Sequence, residues 1–237
     1  MAADGANLDG SRVLVTGASR GYGAAVARAL AARGARLLVT ATDTAHLTRV
    51  VDDCRTAACE CTPLALDLAQ PESIDHLAAA IEAEVPRLEG AVLNAGVLGP
   101  IGPLDRADPD AIRRAIDVDF TGQVRLLQRI SPLLADRAGV VLVTSGAARR
   151  PGYGAYALGK AGLETLGLML RDEWADRGIR VVAVNPGPVR TDMRAQAHPA
   201  EDPATVPPPS ERVAPVLAVL AGDDPGPRVQ AAEWGLS

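Results

Sequence analysis

A glycine-rich turn near the start of the chain constrains the fold more than any other feature. The apolar run Arg12 to Thr16 leads into Gly17-Ala18-Ser19-Arg20-Gly21-Tyr22-Gly23, and an alanine-rich segment follows, with Gly34 predicted as its C-cap. This is the pattern of a strand, a turn and a helix. Glycine has no Cβ atom, so such a turn can approach a pyrophosphate, whose charge then lies at the positive end of the helix. At the first strand-to-helix junction of a βαβ unit, the turn predicts a nucleotide-binding α/β domain.

The composition favours one domain that spans residues 1–237. Hydrophobic residues make up 48% of the chain and aromatic residues only 3%, so the core must consist of Ala, Val and Leu, which suits a parallel sheet buried on both faces. A Pro/Gly/Ser linker that would divide the chain near its middle is absent from the sequence. The net charge of −5 and the lack of a basic stripe argue against a nucleic acid or an anionic membrane as partner.

The cysteines and the N-terminal residues indicate the cellular compartment. Cys54, Cys59 and Cys61 contain no CxxC pair, which argues against a metal site and predicts reduced thiols. Residues 1–10 lack the basic and apolar regions of a signal peptide, and no apolar run approaches the ~20 residues that span a bilayer. We expect a soluble, cytoplasmic protein with no membrane partner.

A tyrosine and a lysine stand four residues apart at Tyr156 and Lys160. On a helix this spacing brings a phenol and an ammonium group to the same face, where they can reach one small volume. A nearby cation makes a phenol a better proton donor or acceptor at neutral pH, so the pair is suited to acid–base chemistry. Taken alone, the two residues could equally be surface neighbours.

Five motifs in order resemble one known family. With Thr16 in front, the glycine turn has the form TGxxxGxG rather than GxGxxG, and it resembles the turn of the short-chain dehydrogenase/reductase family. The resemblance covers about residues 12–191, and the rest of the chain is less similar to the family. The four further motifs are Asn94-Ala95-Gly96 after the strand Gly90 to Leu93, Ser145 after the strand Val140 to Thr144, Tyr156 with Lys160, and Pro186-Gly187 with Thr191 after the strand Ile179 to Val184.

This resemblance implies both a fold and a set of site residues. The fold is a single-domain Rossmann fold, a doubly wound and mostly parallel sheet of six or seven strands in the order 3-2-1-4-5-6 plus an edge strand, with helices on both faces. Ser145 would donate a hydrogen bond to the substrate oxygen, Tyr156 would exchange its proton, and Lys160 would bind the nicotinamide ribose. Ser145 could instead cap a turn, and Thr144 is then the alternative. The implied cofactor-binding residues are Gly17, Ser19, Arg20, Gly21, Tyr22, Gly23, Thr42, Asp67, Leu68, Asn94, Ala95, Gly96, Tyr156, Lys160, Pro186, Gly187, Val189 and Thr191.

The end of the second strand, Arg36 to Ala41, bears on the choice between NADPH and NADH. In the resembling family an acidic residue there binds the ribose hydroxyls, and this chain has Ala41 and Thr42 at that point, with Asp43 one or two residues later. Arg20 is the expected partner of a 2′-phosphate, so NADP(H) is favoured. If the alignment shifts, Asp43 binds the ribose and NAD(H) is the cofactor. Otherwise Asp43 caps the next helix and Arg20 is a solvated charge.

The third strand is predicted at Thr62 to Leu66, and Asp67-Leu68 follow it. The resemblance places these two residues at the adenine edge. The alternative is that Asp67 is the N-cap of the helix that contains Ile74 and Ile81.

Two departures from the family pattern stand near the proposed acid–base pair. The family usually has an asparagine that holds a water chain leading to the catalytic lysine, and this chain has Asp119 there. Our hypothesis is that Asp119 keeps the structural role with an altered proton relay, so we count it with the catalytic residues. The stretch from Ser145 to Tyr156 is also about two residues shorter than usual, which would reshape one wall of the pocket.

Patterning predicts the remaining elements. Asp110 to Leu134 is predicted as one long helix or two joined helices. In the Tyr156 helix, the apolar face comprises Leu158, Leu163, Leu166, Leu170 and Trp174, and in the resembling family this helix also forms subunit contacts. The prolines between Met193 and Ser210 exclude a regular helix and indicate a substrate-side loop over 193–210. A helix around Pro215 to Leu220 and a strand near Val229 end the chain.

Together these features predict an NADP(H)-dependent, ketoreductase-like oxidoreductase that interconverts a carbonyl and a secondary alcohol by hydride transfer, as a homodimer or homotetramer acting on a small molecule. Three alternatives remain: an NAD(H)-dependent alcohol dehydrogenase of the same family, an epimerase or dehydratase with that fold, and a redox-silent NADP-binding protein. Specificity is expected in the segments 97–106, 147–154 and 193–210.

Overall fold

The computed structural model describes residues 7–235, which form one seven-stranded sheet. The strands are β1 (Arg12–Val15), β2 (Arg36–Ala41), β3 (Cys61–Ala65), β4 (Leu88–Leu93), β5 (Leu134–Val143), β6 (Arg180–Asn185) and β7 (Arg228–Gln230). All pairings are parallel and the strand order is β3-β2-β1-β4-β5-β6-β7, which confirms the predicted doubly wound α/β fold with an additional edge strand.

Helices cover both faces of this sheet. They are α1 (Gly21–Ala31), α2 (Thr48–Thr56), α3 (Pro71–Glu84), α4 (Pro109–Ile116), α5 (Gly122–Ile130), α6 (Gly154–Glu173), α7 (Asp192–Ala197) and α8 (Ala214–Ala221). Alternate residues of β1 point to opposite sides, since Val13 and Val15 pack with α1, α2 and α8, whereas Leu14 packs with α3, α5 and α6.

The register of the sheet aligns five valines side by side, one from each of five neighbouring strands. Because the strands are parallel, their carboxyl ends lie at one edge, and the polar turns that follow β1, β4, β5 and β6 meet there. The site predicted from sequence therefore has a common location, above the switch between β1 and β4. The paired residues are Val39, Val15, Val92, Val141 and Val182, in order across β2, β1, β4, β5 and β6.

The segment after β6 differs from the prediction. We expected no regular helix in Met193 to Ser210, but α7 occupies Asp192–Ala197. The Oγ1 atom of Thr191 accepts a hydrogen bond from the backbone N–H of Arg194 and so caps this helix. The prolines begin only at Pro199, after α7 has ended. They therefore disfavour a helix in residues 199–210 but not in residues 192–197.

Three further details concern the helices. Of the two alternatives predicted for Asp110 to Leu134, that of two joined helices is confirmed, since a π-helical turn at Asp117–Thr121 connects α4 to α5, although Leu134 already belongs to β5. Leu158, predicted on the apolar face of α6, is 53% exposed, so this part of the face is not covered by the sheet. Helix α1 ends at Ala31, and Gly34, with a φ of +81°, lies in the turn that leads to β2.

Within residues 7–235, no helix is long and apolar enough to cross a membrane. The same residues contain no group of three or more His, Cys, Asp or Glu side chains that could hold a metal ion. Cys54, Cys59 and Cys61 are buried and free, and the Cys59 thiol donates to the carbonyl oxygen of Ala35. Residues 1–6, which belong to the predicted leaderless N-terminus, lie outside the described residues.

Candidate active site

The turn after β1 is locked to the turn after β4 by a threonine and an asparagine. The Thr16 hydroxyl oxygen accepts hydrogen bonds from the backbone N–H groups of Asn94 and Ala95, both at 3.0 Å. The Asn94 side-chain amide donates to the carbonyl oxygens of Thr16 and Gly17, also at 3.0 Å. Asn94 therefore connects the ends of the two central strands β1 and β4.

Glycines in the first turn leave no room for a side chain. A Cβ atom at Gly23 would lie 2.4 Å from the Asn94 amide nitrogen and 2.4 Å from the Gly17 carbonyl oxygen. Gly17 has a φ of +65°, and a Cβ there would lie 2.8 Å from Cα of Ala95. The turn thus brings bare backbone to the N-terminus of α1, where no acidic side chain occupies the first turn. A phosphate-bearing group fits this cradle.

Two side chains of the glycine turn contact residues from the C-terminal part of the chain. Tyr22 is 6% exposed, and its phenol donates to the carbonyl oxygen of Arg212 at 2.9 Å. Burial raises the pKa of Tyr22, so its phenol stays protonated. Because this side chain is engaged with Arg212, Tyr22 can offer only its backbone to a ligand in the turn. Arg20 is exposed and lies 3.4 Å from the carboxylate of Asp192, just beyond Thr191. The Arg20–Asp192 pair bridges the two sides of the cleft.

At the other end of the cleft, β2 ends at the buried Ala41, and Thr42 and Asp43 are exposed. The Asp43 carboxylate accepts a hydrogen bond from the backbone N–H of Ala45 and caps the 3₁₀-helix Thr44–Leu47, as one of the sequence alternatives expected. At the end of β2, the described residues therefore present no carboxylate that is free of a local hydrogen bond.

Asp67 follows β3 and accepts a hydrogen bond from the backbone N–H of Ala69 in a local turn. The residue before α3 is Gln70, so the alternative of Asp67 as the N-cap of this helix is wrong. Leu68 is buried next to Asp67. A Cβ atom at Gly122 of α5 would lie 2.2 Å from the Leu68 carbonyl oxygen, so α5 packs directly on this turn.

Tyr156 and Lys160 occupy the first turns of α6 and face the end of β5. Tyr156 is 8% exposed and Lys160 is 3% exposed. The Lys160 ammonium donates to the carbonyl oxygen of Val143 at 2.9 Å and lies 5.7 Å from the centre of the Tyr156 ring. A buried cation is thus held beside the phenol by the last residue of a central strand, and the interpretation of the pair as surface neighbours is wrong.

Ser145 lies two residues after Val143, and its Oγ atom accepts a hydrogen bond from the backbone N–H of Ala147 at 3.1 Å. No acceptor within residues 7–235 takes the Ser145 hydroxyl hydrogen, which can therefore be donated to a ligand oxygen. Thr144, the alternative, is 2% exposed, and its hydroxyl is buried with no partner in the described part of the chain. Of the two hydroxyls, that of Ser145 is the more accessible.

Asp119 lies in the π-helical turn and is fully buried. One carboxylate oxygen accepts a hydrogen bond from the backbone N–H of Val97 at 2.9 Å. Burial raises the pKa of Asp119 to about 6, although the Lys160 charge and the Val97 N–H act in the opposite direction. A Cβ atom at Gly96 would lie 2.7 Å from Asp119 Oδ1 and 3.3 Å from Lys160 Nζ, so the two charged groups flank the same glycine.

The turn after β6 is held from behind by Asn185. Its side chain accepts a hydrogen bond from the backbone N–H of Gly187 at 2.9 Å and donates to the side chain of Gln230 in β7. Pro186 and Val189 are buried. A Cβ atom at Gly21, in the first turn, would lie 3.2 Å from the Thr191 side chain, so the turns after β1 and β6 approach each other closely.

Sequence reasoning missed three polar residues near this site. Gln123, fully buried and one helical turn after Asp119, donates to the Ala95 carbonyl oxygen at 2.7 Å. A glutamine on the apolar face of α5 is a sequence feature that could have indicated a buried hydrogen bond. Tyr153 and His198 share a hydrogen bond at 2.7 Å although 45 residues separate them, and no local pattern indicates that contact.

Known proteins match the chain over nearly its whole length. The family model described as short chain dehydrogenase matches residues 11–202. The chain belongs to the short-chain dehydrogenase/reductase family. It is 34% identical to the Escherichia coli K12 oxidoreductase YciK over 219 residues, which are 90% of this chain and 86% of that protein. It is also 33% identical to the 3-oxoacyl-(acyl-carrier-protein) reductase FabG of E. coli K12, over 79% of this chain and 77% of FabG.

Solved structures of short-chain dehydrogenases have the same architecture. One from Pseudomonas syringae superposes with a TM-score of 0.91 at 33% identity, over 95% of this chain and 96% of the other. A short-chain dehydrogenase of E. coli CFT073, solved in complex with NADPH, superposes with a TM-score of 0.90 at 32% identity, over 95% and 98% of the two chains. The family and the fold expected from the five motifs are thus confirmed.

Proposed function

We propose that this short-chain dehydrogenase/reductase interconverts a carbonyl and a secondary alcohol with NADP(H) as cofactor. The observation that carries the proposal is the buried Lys160 ammonium, fixed by the Val143 carbonyl beside the Tyr156 ring. Ser145 follows on the same strand end, and the glycine turn lies across the sheet edge from it. Acid–base groups and a phosphate cradle therefore share one cleft.

The backbone of the glycine turn and the first amide groups of α1 would hold the pyrophosphate, with Asn94 to Gly96 and Pro186 to Thr191 lining the rest of the cleft. When bound, NADPH supplies the hydride that reduces a carbonyl carbon. The protein positions the cofactor and the substrate, excludes water and controls the transfer of one proton.

Proton transfer is assigned to Tyr156. Ser145 donates its free hydroxyl hydrogen to the substrate oxygen and holds that oxygen near the phenol. In the direction of reduction, Tyr156 gives its proton to the oxygen as negative charge develops there. The buried Lys160 ammonium stabilises the phenolate that remains, because opposite charges attract strongly where water is excluded.

The preference for NADP(H) rests on charge. Arg20 is an exposed guanidinium whose one ion pair within residues 7–235 is with the exposed carboxylate of Asp192, at 3.4 Å. β2 ends at Ala41, and the first carboxylate after it, that of Asp43, is engaged in a cap. A guanidinium recognises a phosphate much better than a hydroxyl. Two structural relatives that share more than 30% identity with this chain were solved with NADP or NADPH bound.

We also propose that the protein forms a homodimer or homotetramer through α6. Leu158 and Met169, three turns apart on one face of this helix, are each 53% exposed, and Leu168 beside them is 54% exposed. A second copy of the helix would remove this apolar stripe from water.

The test is oxidation of NADPH, followed by its absorbance, with a panel of ketones and quinones. We expect turnover with at least one carbonyl, and a loss of more than about 100-fold in kcat for Tyr156→Phe with the Kd for NADPH unchanged. Turnover that persists in Tyr156→Phe would contradict the assignment of the proton. Cofactor binding without consumption, together with conversion of a substrate, would identify the epimerase or dehydratase alternative.

A further inference from the structure

A hydrogen bond joins the start of α6 to the segment beyond α7. Tyr153 directly precedes α6, three residues before Tyr156, and the two tyrosine rings are 6.4 Å apart between centres. The Tyr153 phenol and Nε2 of His198 lie 2.7 Å apart and share a hydrogen bond, in which the donor depends on the imidazole tautomer. His198 is the first residue after α7.

The residues around His198 form a compact unit, residues 191–205, which we call the cap segment. The Arg194 guanidinium donates two hydrogen bonds to the Glu201 carboxylate, at 2.7 and 2.6 Å. This guanidinium also lowers the pKa of Glu201, so the pair stays charged at neutral pH. The His198 N–H donates to the Arg194 carbonyl oxygen, and the Glu201 N–H donates to the His198 carbonyl oxygen. A braced segment moves as a unit, so one contact with α6 can position all of it.

A second segment, the loop with Ile101 to Leu104, also contacts the start of α6. The Gly102 N–H donates to the Gly152 carbonyl oxygen at 2.8 Å, and a Cβ atom at Gly154 would lie 3.6 Å from Leu104. Leu104 and Ile101 are 50% and 49% exposed on this loop. They present an apolar surface beside the start of α6, against which an apolar ligand can pack.

We propose that Tyr153 and His198 are a positioning pair: their hydrogen bond holds the cap segment against α6 and so fixes the width of a pocket that accepts carbonyl compounds with an apolar ring body. The part about substrates rests on the proposed function, whereas the part about the cap segment does not. Neither residue needs to touch the reacting carbonyl, because the pair acts by placing the wall against which the body of the substrate packs.

The first test measures hydrogen–deuterium exchange in α7 and does not depend on activity. Tyr153→Phe and His198→Ala remove the hydrogen bond, and a neutral hydrogen bond corresponds to roughly a three- to tenfold change in a local opening equilibrium. We expect exchange in residues 193–198 to accelerate by that factor in each variant and by no more in the double variant. His198→Gln, which can still reach the phenol, should restore slow exchange, and His76→Asn on α3 is the matched control. Unchanged exchange in the single variants would overturn the positioning pair.

The second test measures steady-state kinetics with 9,10-phenanthrenequinone, a flat apolar diketone, and 2,3-butanedione, a small one. For the wild type we expect kcat/KM to be at least about tenfold higher for the ring compound, because its larger apolar area can be buried against the loop wall. In Tyr153→Phe and His198→Ala, KM for the ring compound should rise roughly three- to tenfold, with kcat and the Kd for NADPH within about twofold. A preference for butanedione would overturn the substrate class, and a fall in kcat at constant KM would overturn the positioning role. If the wild type reduces neither diketone nor any carbonyl of the panel, the proposed function fails, and the exchange experiment alone still decides the pair.

Discussion

The Oδ1 atom of Asp119 accepts a hydrogen bond from the backbone N–H of Val97 at 2.9 Å, whereas Oδ2 is buried with no partner in the described part of the chain. An asparagine could keep the first bond through its carbonyl oxygen. The carboxylate therefore adds a buried charge without adding a contact that the amide would lack. Its consequences for stability and for activity depend on pH in different ways.

Asp119→Asn should stabilise the protein above neutral pH. The pKa of Asp119 rises from 3.8 to about 6 on folding, so the folded state binds this proton more tightly and loses stability as pH rises through that window. The full difference corresponds to about 3 kcal/mol at most, since one pKa unit corresponds to about 1.4 kcal/mol. Urea unfolding at pH 4 and pH 7.5 measures it, with Asp117→Asn as the control from the same turn. A variant whose advantage does not grow with pH would contradict the buried-charge account.

The same substitution should change the pH dependence of the reaction. When Asp119 ionises near pH 6, its negative charge offsets part of the positive field of Lys160 on the phenol. We expect the ratio of the Asp119→Asn rate to the wild-type rate to rise by up to about tenfold between pH 5 and pH 7.5. Stopped-flow hydride transfer over this range gives the ratio. Parallel profiles would remove Asp119 from the mechanism.

Arg20→Ala should reduce the discrimination between the two nicotinamide cofactors. Loss of a charge-assisted bond to a 2′-phosphate is expected to weaken NADPH binding by about 10- to 100-fold and NADH binding by less than about threefold. Fluorescence titration measures both, and Arg36→Ala at the opposite end of β2 is the control. An equal loss for the two cofactors would mean that Arg20 acts on the pyrophosphate or only on Asp192.

Gly23→Ala should disturb the nucleotide-binding turn. The added methyl group would lie 2.4 Å from both the Asn94 amide and the Gly17 carbonyl, and neither can move without breaking the lock between β1 and β4. We expect a loss of about 2 kcal/mol or more in unfolding free energy, and weaker NADPH binding. Gly167→Ala is the matched control, because the added methyl in α6 meets only the flexible end of Leu142 and improves helix propensity. Equal stability of the two variants would contradict the prediction.

Met169→Glu should produce a smaller oligomer. A carboxylate in the middle of an apolar contact between two α6 helices would lose its hydration, which costs several kcal/mol. Size-exclusion chromatography with light scattering, at several protein concentrations, compares it with the wild type. A wild type that is monomeric at every concentration would refute the proposed assembly.

Much of the fold followed from the sequence because parallel sheets have strong rules. Each apolar run that ended in a polar turn was a strand, and the rule that ligands bind at the carboxyl ends of strands brought Gly17, Asn94, Ser145 and Gly187 to one edge. The spacing of Tyr156 and Lys160 predicted a shared helix face, which the structure contains.

The errors came from features that depend on the third dimension. Leu158 has an apolar side chain at helical spacing, but spacing alone does not distinguish a face packed on the sheet from one left open. The helix that Thr191 caps was not predicted, because the nearby prolines dominated the pattern. The ionisation of Asp119 depends on burial, which a sequence does not state.

The hydrogen bond from Tyr22 to the carbonyl oxygen of Arg212 spans 190 residues. During synthesis, the glycine turn leaves the ribosome early, but it cannot acquire this support until most of the chain has been translated. The lock between Thr16 and Asn94 can form once both strands exist, whereas the contact with Arg212 has to wait for the C-terminal part of the chain. The two supports of the same turn are therefore separated in the order of synthesis, and the second one is completed only when the last segments dock against α1.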